Sequence, residues 1–306
     1  MKITSNKKIF IETLIKESKT DNHVKVGYYD DYKSNIYGQM PVRYLKMFAA
    51  GDGNELFGKA CAIHSSSMLA YNMFSWIDNE HPLTYNKVRY TNVFFEVHLP
   101  TLIGTQPANM DIVLEGTRPN DKHSIMFIES KFTEYFSNAK DQMKKMGITY
   151  SKPERYYINN GKDWDQLIEH YRKEANAKNS YGYYDGIKQE ICHLIAISNL
   201  RTDAGISAYN SLKKKYDCDT PRISEDDDFI FVNLLFKPGK NFVENEAFTK
   251  YKTLYDDLQK SVCDLIRDKG IVMDMQTYGD LWNIIKEQMP LEQKEYVENK
   301  YMNLSE

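Results

Sequence analysis

The chain has 306 residues, 42% of them hydrophobic and 27% charged, with 40 Lys and Arg against 43 Asp and Glu for a net charge of -3. This balance excludes a disordered or fibrous chain and leaves length for a sizeable core in one large or two small domains. It also excludes a nucleic-acid binder driven by bulk positive charge, so phosphate affinity would have to come from local clusters such as Lys140, Lys144 and Lys145 or Lys213 to Lys215.

In chain order, residues 6 to 18 read as a short amphipathic helix and 19 to 41 as a polar, Tyr-rich loop. Gly51-Asp52-Gly53-Asn54 breaks the chain. The glycines at 51, 53 and 58 do not make a phosphate loop, since no strand clearly precedes them and no Lys-Ser/Thr follows in register. A helix is expected over His64 to Ile77, with Ser65 or Ser66 as its cap. A first strand follows at Val93 to Leu99, then Met110 to Glu115 and Ile125 to Lys131, separated by the turn residues Thr117 to Asp121. From Phe132 to Tyr184 the chain is polar, with a helical pattern over Asp163 to Arg172. A segment of that length inside a compact fold suits binding or regulation. Ile187 to Ile197 reads as a helix and Phe229 to Phe236 as a strand. A second helix carries Phe248, Tyr251, Tyr255, Leu258, Val262 and Leu265 and stops before Gly270. A strand over Ile271 to Met275 and a helix with Leu281, Trp282, Ile284 and Ile285 complete the pattern.

The four cysteines at 61, 192, 218 and 263 show neither CxxC pairing nor a His partner at zinc spacing. Residues 1 to 8 lack the apolar run of a signal peptide, and no stretch reaches membrane-span length, so a cytoplasmic, reducing compartment is expected. Tyr-rich patches at Tyr28-Tyr29, Tyr156-Tyr157 and Tyr181 to Tyr184 suit half-buried packing with wet hydroxyls, and stacking on bases is their functional alternative.

The chemistry concentrates in the two central strands. In an extended strand side chains alternate, so Glu129 and Lys131 project with Ile125 and Phe127, while Met126, Ile128 and Ser130 project the other way. Both faces are apolar up to the motif, as in a strand covered on each side. A carboxylate and an ammonium are costly there unless they serve each other or a ligand. A hairpin brings Asp111 alongside Glu129. Adjacent carboxylates repel, and a divalent cation relieves the repulsion; few hard oxygen ligands completed by water suit magnesium.

Asp111 followed by Glu129-Ser130-Lys131 in an apolar strand resembles the D…ExK signature of the PD-(D/E)XK nuclease superfamily. Its core order of helix, three antiparallel strands, helix and strand is matched over about half the chain by this segment reading. The runs Ile128 to Glu134 and Ser65 to Phe74 are similar to a bacterial branch of restriction-endonuclease-like proteins. The chain departs from the pattern in carrying Met110 rather than proline before Asp111, and no acidic residue between His64 and Ile77. Glu96 on the first strand is then the candidate third carboxylate.

The resemblance implies an α/β, restriction endonuclease-like mixed sheet flanked by helices. The domain expectation is an N-terminal extension over 1–57, a core over 58–240 with an insertion at 132–184, and a mainly helical elaboration over 241–306. It implies metal-dependent hydrolysis of DNA phosphodiesters by an endodeoxyribonuclease in a restriction or defence setting. Mg2+ or Mn2+ would be held by Asp111, Glu129, Glu96 and the Ser130 carbonyl, with Lys131 orienting water or stabilising the transition state. Gln189, beside Lys188, corresponds to the Gln or Lys that relatives place near the scissile phosphate. His193 reads as a satisfied, partly buried imidazole, and Glu134 as a salt-bridge or cap residue. DNA is the expected partner, and the resemblance allows a homo-oligomer and a companion methyltransferase. The alternative is a catalytically silent protein of the same fold acting in DNA binding or assembly.

Overall fold

The computed structural model describes residues 5–17, 27–51, 55–101, 107–134, 162–178, 181–239 and 245–305. Its apolar runs pair into one six-stranded sheet whose spatial order follows the chain: β1 (Leu83–Tyr85), β2 (Val88–Leu99), β3 (Ala108–Thr117), β4 (His123–Lys131), β5 (Asp228–Leu235) and β6 (Ile271–Thr277). β1 to β4 are antiparallel, and β4, β5 and β6 are parallel. The described helices are α1 (Ser5–Glu17), α2 (Val42–Ala50), α3 (Ser66–Phe74), α4 (Lys162–Lys178), α5 (Tyr181–Asn199), α6 (Asp203–Tyr216), α7 (Asn245–Arg267), α8 (Tyr278–Ile285) and α9 (Leu291–Lys300). This is the mixed α/β, restriction endonuclease-like architecture expected from the sequence.

The central strands are apolar on both faces because helices cover both. On one face Phe95 packs against Tyr44 and Phe48 of α2 and Tyr71 of α3. On the same side Ser130 reaches Tyr278 of α8 with a 2.7 Å oxygen–oxygen contact. The opposite face lies under α5, whose Ile187, Ile191 and Leu194 are fully buried. The sheet curls enough for Gln276 of β6 to hydrogen-bond the Tyr85 hydroxyl of β1. Its β6 edge is partly closed by α7: the Gln259 amide donates to the Met273 carbonyl at 2.8 Å and the Tyr255 hydroxyl to that of Asp274 at 2.9 Å. Successive carbonyls leave opposite edges of a strand, so one of these two is a group that an open edge would offer to another strand. The 241–306 segment therefore supplies a strand of the central sheet as well as helices.

Several elements have weak sequence signals. β1 is three residues long, and α6 is polar and carries Gly205. α6 is held instead by its start: Thr202 caps the Gly205 N–H at 3.1 Å, and a Cβ at 205 would lie 1.9 Å from the Asn199 carbonyl oxygen, which demands glycine. Ser65 caps α3 by accepting from the Met68 N–H at 3.3 Å. Cys61 and Cys192 are half-buried.

The acidic run at 225–228 has a structural use at the end of the sheet remote from the motif. His123 is clamped between Asp227 at 2.9 Å and Glu115 at 3.1 Å, and these two carboxylates, Asp227 first, push its imidazole up to about 9. Asp228 pairs with Arg118 and Lys122, both at 2.5 Å. Arg201 also donates to the Asp227 carbonyl at 2.7 Å. These charges thus fasten β3, β4 and β5 together.

Candidate active site

β4 delivers the motif where the sheet opens. Its ladder with β3 ends at Ile112↔Ile128, while its ladder with β5 continues through Glu129↔Asn233 to Lys131↔Leu235. Past the last β3 pair the strands part, and Asp111 fills the gap by accepting the Ser130 N–H at 2.7 Å. The N–H and C=O of one residue leave the same edge of a strand, so the Ser130 carbonyl also faces the Asp111 side. The next carbonyl, that of Lys131, points to β5 and accepts the Phe236 N–H at 2.8 Å.

Glu129 and Lys131 share a face, as alternation requires, and the Lys131 ammonium bonds Glu129 Oε1 directly. Lys131 also donates to Gln189 Oε1 at 2.8 Å, and Gln189 is exposed, so it marks the mouth of the cleft. Asp111 and Glu129 are close enough for the Glu129 charge to act on the Asp111 carboxyl. The structure thus brings together Asp111, Glu129, Ser130, Lys131 and Gln189.

Glu96 falls opposite Asp111 where the β2–β3 ladder skips a pair, between Phe95↔Ile112 and Val97↔Met110. Its backbone is left-handed, with φ 51°, a costly state for a residue with a side chain. Its carboxylate accepts from the Asn109 amide and lies against Gly51, where a Cβ would come 3.0 Å from Glu96 Oε2.

His193 belongs to the site, contrary to its reading as a packed, satisfied imidazole. It is 4% exposed, with Nε2 3.1 Å from the Asn109 carbonyl oxygen and Nδ1 3.4 Å from Glu129 Oε2. A carbonyl only accepts, so Nε2 carries the proton and a neutral ring turns a second acceptor toward Glu129. Burial first, then the Lys131 charge, pushes His193 down to about 4, so the neutral ring is the relevant form. Sequence reasoning also passes over Glu190 and Asn233, both fully buried. Glu190 Oε1 accepts from the Asn233 amide at 2.8 Å and the Tyr251 hydroxyl at 3.4 Å. The available signals were a carboxylate within the apolar stripe of α5 and one amide interrupting β5.

Electrostatically, three carboxyl groups face one ammonium. Burial pushes Asp111 well above the ordinary carboxylate range, Glu129 adds to it, and Lys131 only partly opposes it. Burial also raises Glu129 against the pull of Lys131, and raises Glu190 with help from Glu129. For Lys131 burial favours the neutral amine, but Glu129 and the neighbouring acidic groups more than reverse this and keep it charged. Metal-free, the cluster therefore holds carboxyl protons to higher pH than free carboxyl groups do.

The donor set fits a hard cation. Asn109 Oδ1, Glu129 Oε2, Glu190 Oε2, Asn233 Oδ1 and His193 Nδ1 are buried without a hydrogen-bond partner, and four of these five are oxygens. Among the described residues no three His, Cys, Asp or Glu side chains form a ready cation cage. Two carboxylates and a carbonyl completed by water are what magnesium takes in substrate sites, where it keeps part of its hydration shell.

Behind Lys131 the chain turns. Glu134 Oε2 accepts the Phe132 N–H at 2.7 Å and the Thr133 N–H at 2.8 Å, a cap as expected. Burial pushes this carboxyl up, but Lys131, the Ser66 hydroxyl and Lys7 outweigh it and hold it below its ordinary range. His64, beside Lys7 and Glu134, is pushed down to about 4, chiefly by burial. Lys140, Lys144, Lys145, Tyr156 and Tyr157 lie outside the described residues.

A family model described as Restriction Endonuclease associating with ARP matches residues 5–193, more than half of the chain, from α1 through the site residues of α5. No curated protein and no solved structure matches. Among the described residues no helix is long and apolar enough to cross a membrane.

Proposed function

We infer that this chain, which belongs to the restriction-endonuclease family described as Restriction Endonuclease associating with ARP, is a metal-dependent nuclease of the PD-(D/E)XK type that hydrolyses DNA phosphodiester bonds. The observation that carries the reading is the meeting of Asp111, Glu129 and Lys131 in one cleft whose buried oxygens outnumber their donors. A purely structural ion pair has no use for that excess.

In this reading Asp111, Glu129 and the Ser130 carbonyl hold magnesium or manganese, and the bound ion supplies Lewis acidity and a more acidic water. The chain's residues do the rest. Lys131, steadied by Gln189 Oε1, keeps an ammonium donor beside the cleft for the attacking water or a phosphate oxygen. His193 donates Nε2–H to the Asn109 carbonyl and so holds its Nδ1 acceptor 3.4 Å from Glu129 Oε2, where it can receive the proton of a bound water. Glu190, Asn233 and Tyr251 form the dry wall beneath, where charge interactions are strongest. Glu96 holds the Asn109 side chain and is assigned to positioning.

Incubation of the full chain with duplex, single-stranded and branched DNA tests this. Cleavage of at least one substrate is expected with magnesium or manganese, none with chelator, and salt-sensitive binding with either. Binding without cleavage on every substrate and with both metals would overturn the enzymatic reading in favour of a silent DNA-binding module.

A further inference from the structure

Ser130 is also held from the rear of the sheet. Alternation sends its side chain to the face opposite Glu129 and Lys131, where α3 and α8 pack. There Ser130 Oγ lies 3.3 Å from the Ser66 carbonyl oxygen and 2.7 Å from the Tyr278 hydroxyl oxygen. A carbonyl only accepts, so the single Ser130 hydroxyl proton goes to Ser66, and the Tyr278 hydroxyl donates to Ser130 Oγ. The bonds run one way, from Tyr278 through Ser130 to Ser66. Both side chains are sealed from solvent, with Ser130 1% and Tyr278 0% exposed.

The two anchors are themselves fixed. Ser66 begins α3 directly after Ser65, whose hydroxyl oxygen accepts the Met68 N–H at 3.3 Å. Tyr278 begins α8 directly after Thr277, the last residue of β6, which pairs with Leu235 and accepts the Asp280 N–H at 3.0 Å. The backbone of Ser130 has need of such support. The β3 ladder stops at Ile128, so on the Asp111 side the Ser130 peptide has no strand partner, and its N–H goes to the Asp111 carboxylate at 2.7 Å instead. Its carbonyl faces the same gap. Asp111 is itself a cation ligand in the nuclease reading. The β5 ladder and the bond from Tyr278 are then the supports that do not depend on the ion.

We propose that Tyr278 is a positioning residue for the metal site: its hydroxyl, acting through Ser130 Oγ, holds the Ser130 carbonyl and the Asp111-bonded N–H in the arrangement that receives a divalent cation. The assignment rests on the metal-dependent nuclease reading. It extends the site to α8, beyond the residues 5–193 that the family model covers.

The test titrates manganese into the full chain without DNA, following the free ion by electron paramagnetic resonance, and repeats the titration in single-turnover DNA cleavage. Tyr278→Phe removes the hydroxyl and keeps the ring. It is expected to weaken manganese binding about tenfold, the lower end of what groups behind metal ligands contribute, and to raise the manganese needed for half-maximal cleavage by the same factor. Most of the rate should return at saturating manganese. Tyr209→Phe controls for stability alone, since Tyr209 is 1% exposed and its hydroxyl donates to the Pro221 carbonyl at 2.8 Å, beside Arg222, whose N–H reaches Glu115. Its melting temperature should fall comparably while manganese binding stays at the parent value. Ser130→Ala, which keeps the backbone carbonyl, should weaken binding at least as much as Tyr278→Phe, and serves if that variant does not fold. The double variant should be no weaker than Ser130→Ala, because both changes break the same bond. Unchanged manganese binding in the folded variants, equal weakening in Tyr209→Phe, or additive losses in the double variant would overturn the assignment and leave the metal reading standing. If the unmodified protein binds no manganese, the two fall together. If it binds manganese, loses affinity in Tyr278→Phe and cleaves no DNA, only the nuclease reading fails.

Discussion

Asp111→Asn, Glu129→Gln and Lys131→Met should each lower the rate of DNA cleavage by roughly 10²–10³-fold or more, the usual loss for one preorganised group acting on transition-state charge. The three should differ in stability. Asp111→Asn and Glu129→Gln keep shape and remove a carboxyl group that burial already disfavours as an anion, so both variants should remain folded. Lys131 is 5% exposed and is the ammonium between the Glu129 carboxylate and Gln189. Removing it leaves Glu129 buried without its cation, a change that costs about 3–5 kcal/mol when the partner stays charged and less when it takes up a proton. Single-turnover cleavage and thermal melts on the same samples check both parts. Near-normal cleavage by Lys131→Met would remove its assigned role, and equal unfolding of all three variants would point to a structural cluster.

The second large effect is a dependence of metal-free stability on pH, set by the raised carboxyl groups of Asp111, Glu129 and Glu190. Below the ordinary carboxylate range these groups are protonated whether the chain is folded or not. As pH rises above that range the unfolded chain releases protons that the folded cluster retains, and the fold loses stability. Other carboxyl groups behave oppositely. Asp228, for instance, is pushed up by burial but held low overall by Lys122 and Arg118. The informative quantity is therefore the difference between variant and parent. Glu190→Gln, which retains an acceptor for the Asn233 amide, should raise metal-free stability by about 1–2 kcal/mol at neutral pH and by little at pH 4. Magnesium or manganese should stabilise the parent more as pH rises, because ligands must lose their protons to bind. A difference that is flat across pH would contradict the burial of charge on which this account depends.

The motif was legible because Glu129 and Lys131 interrupt a strand that is otherwise apolar on both faces, and such interruptions are costly without a purpose. Asn233 interrupts β5 in the same way, but its meaning depends on the parallel register Glu129↔Asn233, which no local pattern specifies. Glu190 and His193 lie on α5 among apolar residues at helical spacing, where a lone polar group usually packs quietly. They joined the site only when α5 settled over the row containing Glu129 and Asn233. The order of β2 to β6 and of α1, α3, α4, α5, α7 and α8 followed from periodicity, including the strand expected over Ile271 to Met275 and found as Ile271–Thr277, whereas α2 and α9 were not anticipated. β1 was too short, and α6 too polar, for any periodicity to show.

The most direct measurement is anomalous scattering from manganese in crystals of the unmodified protein. The account predicts one strong peak roughly 2.1 Å from oxygens of Asp111 and Glu129 and from the Ser130 carbonyl, absent in Asp111→Asn. Saturating manganese with no peak at these oxygens, or with the ion held by other residues, would contradict it.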